Sequence, residues 1–87
     1  MFRMTIEDAF TIRGRGTVVT GRVESGMLRV GDEVRLNDTL VLTVDAIEAF
    51  RKSLTEAGPG DNIGVLFRSL TREQVDRGDV LTAPFLA

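Results

Sequence analysis

Neither cysteine nor histidine occurs among the 87 residues. The first absence excludes disulfides and thiolate nucleophiles, and together they exclude the usual zinc ligand sets. Without imidazole, the commonest general base near neutral pH is missing too. Lysine occurs once, as Lys52, and no Gly-x-x-x-x-Gly-Lys-Ser/Thr run exists, so no P-loop is encoded and GTP hydrolysis by this chain is not expected. Gly14-Arg15-Gly16 lacks the third glycine of a dinucleotide-binding turn. The opening Met1-Phe2-Arg3-Met4-Thr5-Ile6-Glu7 has no long apolar run and reads as neither signal peptide nor membrane span, so a cytoplasmic location without membrane contact is expected. Excess charge of one sign is lacking as well. Thirteen acidic and eleven basic residues give a net charge of −2, which argues against binding duplex DNA by bulk attraction. A local site that reads a single-stranded end by stacking and hydrogen bonds remains compatible with that charge.

What is present is glycine punctuation and short apolar runs. The length suits a single domain, 1–87, that buries roughly 60 to 65% of its unfolded surface. Strands are expected at Met4 to Arg13, Gly16 to Glu24, Met27 to Val30, Glu33 to Leu36, the long run Thr39 to Phe50, Ile63 to Leu70 and Val80 to Ala83. Turns are expected at Arg13-Gly14-Arg15-Gly16, Ser25-Gly26, Gly31-Asp32 and Asn37-Asp38, and a loop over Leu54 to Asn62. Thr71 with Gln74 fits a capping box for one helical turn that Gly78 ends. The pattern predicts an all-β chain, one closed antiparallel β-barrel.

Alternation assigns faces. Ile63, Val65 and Phe67 form an inner set, leaving Gly64, Leu66 and Arg68 outside; Val19, Gly21 and Val23 are inner, with Val18, Thr20 and Arg22 outside. Val18 and Leu66 are then apolar residues on an outer face, either ordinary surface or a shallow binding patch. In the first strand Ile6, Phe10 and Ile12 share parity with Asp8, so alternation alone puts Phe10 and Ile12 in the core with Asp8 at a strand end. Glu7 and Asp8 point to opposite faces, which argues against a catalytic pair. Arg13, Arg15 and Arg22 lie around the first hairpin, as solvated turn residues or as phosphate contacts.

The segments Ile6 to Glu24, Val30-Gly31-Asp32-Glu33-Val34, Phe50-Arg51-Lys52, Gly60 to Leu66, and Arg72-Glu73 through Gly78 to Leu81 closely resemble the second domain of translation elongation factor Tu. The likeness runs from about Phe2 to Pro84. It differs in a shorter Leu36 to Val44 segment, and the GTPase and third domains of that family are not within these residues.

The resemblance implies a β-barrel that holds the aminoacylated CCA end of tRNA. By position, Ile12, Gly14, Val18 and Leu66 would line a groove for the terminal adenosine with Glu48 beside it. The amino acid would lie over Glu7, Asp8, Phe10 and Thr20, its amino group near the backbone of Phe50 and Asn62. This reverses the alternation reading of Phe10 and Ile12. With no histidine, cysteine or nucleotide-binding signature, and no GTPase domain within these residues, no cofactor, no metal and no enzymatic activity are expected. The expected partners are the aminoacyl-tRNA 3′ end, bound weakly by the barrel alone, and a GTPase domain or ribosome-associated protein. The alternative is a protein–protein interaction module that keeps only the fold.

Overall fold

Gly14 and Gly16 set the first reversal. Both have positive φ, 76° and 133°, and the Arg15 N–H donates to the Ile12 carbonyl at 2.9 Å. A Cβ on Gly16 would lie 2.5 Å from the Phe67 carbonyl oxygen and 2.7 Å from the Arg68 Cα, so that position also requires glycine for close approach. The hairpin joins β1 (Arg3–Ile12) to β2 (Gly16–Ser25). The computed structural model describes residues 1–83. Pro84, the expected end of the family likeness, lies outside the described residues, as do the last three positions of the expected 1–87 domain.

Shorter strands follow: β3 (Leu28–Arg29), β4 (Glu33–Leu36), β5 (Leu40–Thr43), β6 (Ala46–Ala49), β7 (Lys52–Leu54), β8 (Glu56–Ala57), β9 (Asn62–Phe67) and β10 (Val80–Thr82). The predicted long strand over Thr39 to Phe50 is broken at Val44-Asp45. There the chain leaves β4 for β9: Val44 exchanges backbone bonds with Gly31 and Asp32, while the Asp45 N–H donates to the Leu66 carbonyl at 3.0 Å. The expected loop over Leu54 to Asn62 also contains β8, paired with β3. The helical turn appears as a 3₁₀ turn at Arg72–Gln74, with the Thr71 N–H donating to Gln74 Oε1 at 2.9 Å.

Eight strands form one antiparallel sheet in the order β5-β4-β10-β1-β2-β9-β6-β7, with β3 and β8 in a separate ladder. The fold is all-β and of the β-barrel domain type. The expected full closure is corrected: among the described residues the main ladder ends at β5 and β7, which makes an open half-barrel. These edge strands are short, and the β3–β8 ladder supplies Leu28 and Ala57 to the core without continuing the sheet. Phe2, Met4, Ile6, Val19, Val23, Ile47, Val65, Phe67 and Leu81 fill the concave side.

One irregularity decides the faces of β1. Ile6 pairs with Gly21 and Asp8 with Thr20, so Glu7 is an extra residue in a β-bulge. Before it Met4 and Ile6 point inward; after it Ala9 does. Phe10 therefore stands outside, 47% exposed, and Ile12 is half-buried at the hairpin end. The alternation reading that put both in the core fails because a bulge shifts parity by one.

Candidate nucleic-acid interface

Directly paired residues of antiparallel strands project to the same face. On the outer face this builds two rows across the sheet. Phe10, Val18, Leu66 and Ala46 are successive partners across β1, β2, β9 and β6. One step along, Asp8, Thr20, Gly64, Glu48 and Ser53 form the next row. The first row is apolar, and the second is polar except for Gly64.

Val18 and Leu66 are on this outer face as expected, but they are not an exposed patch: they are 7% and 3% accessible. Neither belongs to the main core cluster. They form the buried floor of the row, and exposed Phe10 stands at its end.

Beside the polar row lies a cleft of about 270 Å³ lined by Glu7, Thr20, Glu48, Phe50, Asn62 and Gly64, among others. Five of the residues singled out from the sequence thus come together. The bulge places Glu7 there, and among the described residues no ion pair engages it or Glu48. Asp8 is not part of this cleft. Its carboxylate accepts from the Ala9 N–H at 2.9 Å and lies 3.8 Å from Arg77. Phe10 also stays outside it.

Phe50 and Arg51 make the two-residue turn between β6 and β7, with Ala49 opposite Lys52. Both have left-handed backbones, φ 51° and 65°. Such a turn normally calls for Asn-Gly, and L-residues there cost about 1–2 kcal/mol each. The turn holds Phe50 out at 90% exposure. By contrast, Asn37 and Asp38, at φ 52° and 62°, suit the same conformation by residue type.

Ile12 and Gly14 lie in a second cleft of about 520 Å³ at the hairpin tip, with Arg15, Arg68 and Arg72. The groove residues named from the sequence are therefore spread along a strip: Ile12 and Gly14 at one end, Val18 and Leu66 between, Glu48 at the other. Sequence reasoning grouped Arg13, Arg15 and Arg22 by their nearness in the chain. The structure moves Arg22 to a cleft with Glu24 and Pro59, and replaces it with Arg68 and Arg72. The usable signal for Arg68 was its shared parity with Leu66.

Away from the strip, Glu24 is held below its ordinary carboxylate pKa of 4.5, first by the Thr5 hydroxyl hydrogen bond and then by that from Arg3. The distances are 2.6 Å from Thr5 Oγ1 and 3.0 Å from Arg3 Nε.

The family model described as elongation factor Tu domain 2 matches residues 16–82. Among solved structures, translation elongation factor SelB from Methanococcus maripaludis, in its apo form, superposes with a TM-score of 0.86 at 37% sequence identity. That similarity covers 94% of this chain and 18% of the SelB chain, so the present chain corresponds to a small part of that factor's length. No helix among the described residues is long and apolar enough to cross a membrane.

Proposed function

The chain belongs to the elongation factor Tu domain 2 family, and from that premise we propose that its outer face holds the aminoacylated 3′ end of a tRNA. The observation that carries this reading is the meeting of Glu7, Thr20, Glu48, Phe50 and Asn62 around one cleft, directly beside the Phe10–Val18–Leu66–Ala46 row. Adenine is flat and largely apolar, so it packs on the aliphatic floor of Val18 and Leu66 with Ile12 and Gly14 beyond. Stacking or packing of this kind is worth about 1–3 kcal/mol per base. Glu48 accepts a hydrogen bond from the adenosine. The acidic cleft favours the cationic α-amino group, whose position against the backbone is set by the Phe50 turn and Asn62. Asp8 and Phe10 border the attached side chain from β1.

The barrel alone supplies a fraction of a tRNA interface, while the cost of immobilising the ligand remains, so binding is weak in isolation. A GTPase domain or ribosome-associated protein supplies the rest, in the cytoplasm. The chain itself performs no catalysis in this reading.

The test is an NMR titration with a CCA mimic carrying an amide-linked amino acid, set against the uncharged mimic. Resonances of Val18, Glu48 and Leu66 are expected to shift with both, and those of Thr20 and Asn62 with the charged one only. Silence of Val18, Glu48 and Leu66 at millimolar ligand would refute the proposal. Glu48→Ala is expected to weaken binding of both mimics; unchanged affinity would remove Glu48 from the site.

A further inference from the structure

We propose that the free edge of β5 is a self-association surface, on which a second copy of this chain pairs its own β5 antiparallel about a two-fold axis through Val41. The inference is independent of the groove reading, because β5 takes no part in the outer-face rows and is separated from β1 by β4 and β10.

Backbone groups make the edge available. The Val44 N–H donates to the Asp32 carbonyl at 2.9 Å. Bonded pairs alternate with unbonded ones along an antiparallel ladder, so Leu42 with Val34 and Leu40 with Leu36 exchange the bonds between β4 and β5. Val41 and Thr43 therefore aim their N–H and C=O groups away from β4. Among the described residues β5 has no other neighbour, and neither residue makes a backbone bond elsewhere. A row of free donors and acceptors is a template for another strand.

The sequence of the edge says which strand. Thr39-Leu40-Val41-Leu42-Thr43 reads the same in both directions. Centred on Val41, an antiparallel copy sets Leu40 opposite Leu42 and Thr39 opposite Thr43. The bonding phase agrees: position 41 is a bonded pair in this register, so the two Val41 residues exchange both of their bonds. The faces agree as well. Leu42 is buried and half-buried Leu40 packs on the core, so the Leu40–Leu42 contacts extend the concave side. Val41, 48% exposed, meets its mate on the outer side.

Charge does not guard this edge. No charged residue occurs from Thr39 to Val44. The two Arg35 side chains, one strand back from the axis on each side, stand about 14 Å apart, beyond the screening length. At the opposite edge β7 begins with Lys52 directly after Arg51, and such cations block pairing. Association therefore stops at two copies. The contact is a few residues long and buries less than the roughly 1,200 Å² of a stable complex, so the dimer is of the weak class.

The 87-residue chain is followed by sedimentation velocity and amide hydrogen exchange over roughly 0.1 to 2 mM, the range of weak association. A concentration-dependent dimer is expected. Exchange should slow with concentration at Val41 and Thr43, and stay unchanged at Leu40 and Leu42, which are already bonded to β4. Val41→Lys and Val41→Glu should each melt like wild type, since the side chain is exposed, and each should dimerise less than wild type. Their equimolar mixture should dimerise about tenfold more tightly than either alone, because like charges directly opposite repel and unlike charges attract across such a pair. A monomer throughout the range would overturn the proposal. So would a dimer that Val41→Lys leaves intact, or a mixture no tighter than its components, since the axis would then lie elsewhere. Species larger than the dimer would show that β7 pairs too, and would overturn the two-fold closure. If the chain stays monomeric but an unrelated extended peptide slows exchange at Val41 and Thr43, the edge takes a foreign strand and the proposal fails.

Discussion

Gly64→Ala separates the fold from the site. Gly64 lies in β9 opposite Thr20 and Glu48, on the boundary between the apolar row and the acidic cleft. An added Cβ would sit 3.2 Å from Val18 Cγ1 and 3.8 Å from Thr20 Cγ2. The first contact requires Val18 to give by a few tenths of an ångström; the second is ordinary. Relieving strand glycine entropy gains about 0.5–1 kcal/mol, which offsets that strain, so stability should change by less than about 1 kcal/mol. The methyl, however, occupies the surface on which the nucleoside must pack. Losing packing worth about 1–3 kcal/mol corresponds to about 5- to 150-fold weaker binding. The assay pairs thermal melting with NMR titration of the aminoacylated CCA mimic. A folded Gly64→Ala chain with wild-type affinity would refute the placement of the ligand over this boundary. Gly16→Ala is the contrasting control, since its Cβ would meet the Phe67 carbonyl oxygen at 2.5 Å; loss of cooperative melting is expected there.

Replacing Phe50 and Arg51 by Asn and Gly should stabilise the β6–β7 turn by about 1 kcal/mol in denaturant titrations, because those residues accept left-handed backbones. The same double variant should bind the aminoacylated mimic less well; no gain in stability would show that the turn is unstrained. Glu24 has a lowered pKa in the folded chain, so its stabilisation is fully present above its ordinary value of 4.5 and is lost as pH falls through the lowered one. Glu24→Gln should accordingly melt below wild type at neutral pH, with the two curves converging in acid; a gap that persists at the lowest pH counts against the Thr5 and Arg3 bonds as its cause. Deleting Glu7 should leave a regular β1–β2 ladder with Phe10 still exposed, since Ile6 and Asp8 already pair with adjacent residues of β2. Such a chain should lose discrimination between aminoacylated and uncharged mimics while retaining adenosine shifts, and preserved discrimination would show that Glu7 is no part of the acidic cleft.

Most strands were legible because glycine turns and alternation are local signals. Ile63, Val65 and Phe67 point inward as their parity required, and so do Val19 and Val23. What failed was non-local. The break at Val44-Asp45 is invisible in an apolar run, because it depends on β5 pairing with β4 while β6 pairs with β9. The open sheet likewise depends on which strands end up at the edges. Within the site, Val18 and Leu66 were rightly placed on the outer face, but their burial was not foreseen, since shielding comes from neighbouring strands. The arginine cleft was half-seen: Arg15 was noted at the hairpin, and Arg68 and Arg72 reach it only through the pairing of β2 with β9.

The bulge at Glu7 ties these outcomes together. A regular strand cannot bury Met4 and Ile6, expose Phe10 and still present two acidic side chains in succession; one extra residue does all of this. It shifts parity so that the second half of β1 gives its apolar residues to the outer face, where they extend the Val18–Leu66 floor. It also turns the Glu7 side chain toward Glu48 and Asn62. Ala9 then fills the inward position with a small side chain, which the core accepts beside Val19. A bulge costs ladder regularity and local pairing, and the hydrophobic core gains nothing by it, because a strand with Phe10 and Ile12 inward would bury more apolar surface. The feature is therefore explained by what it presents outside.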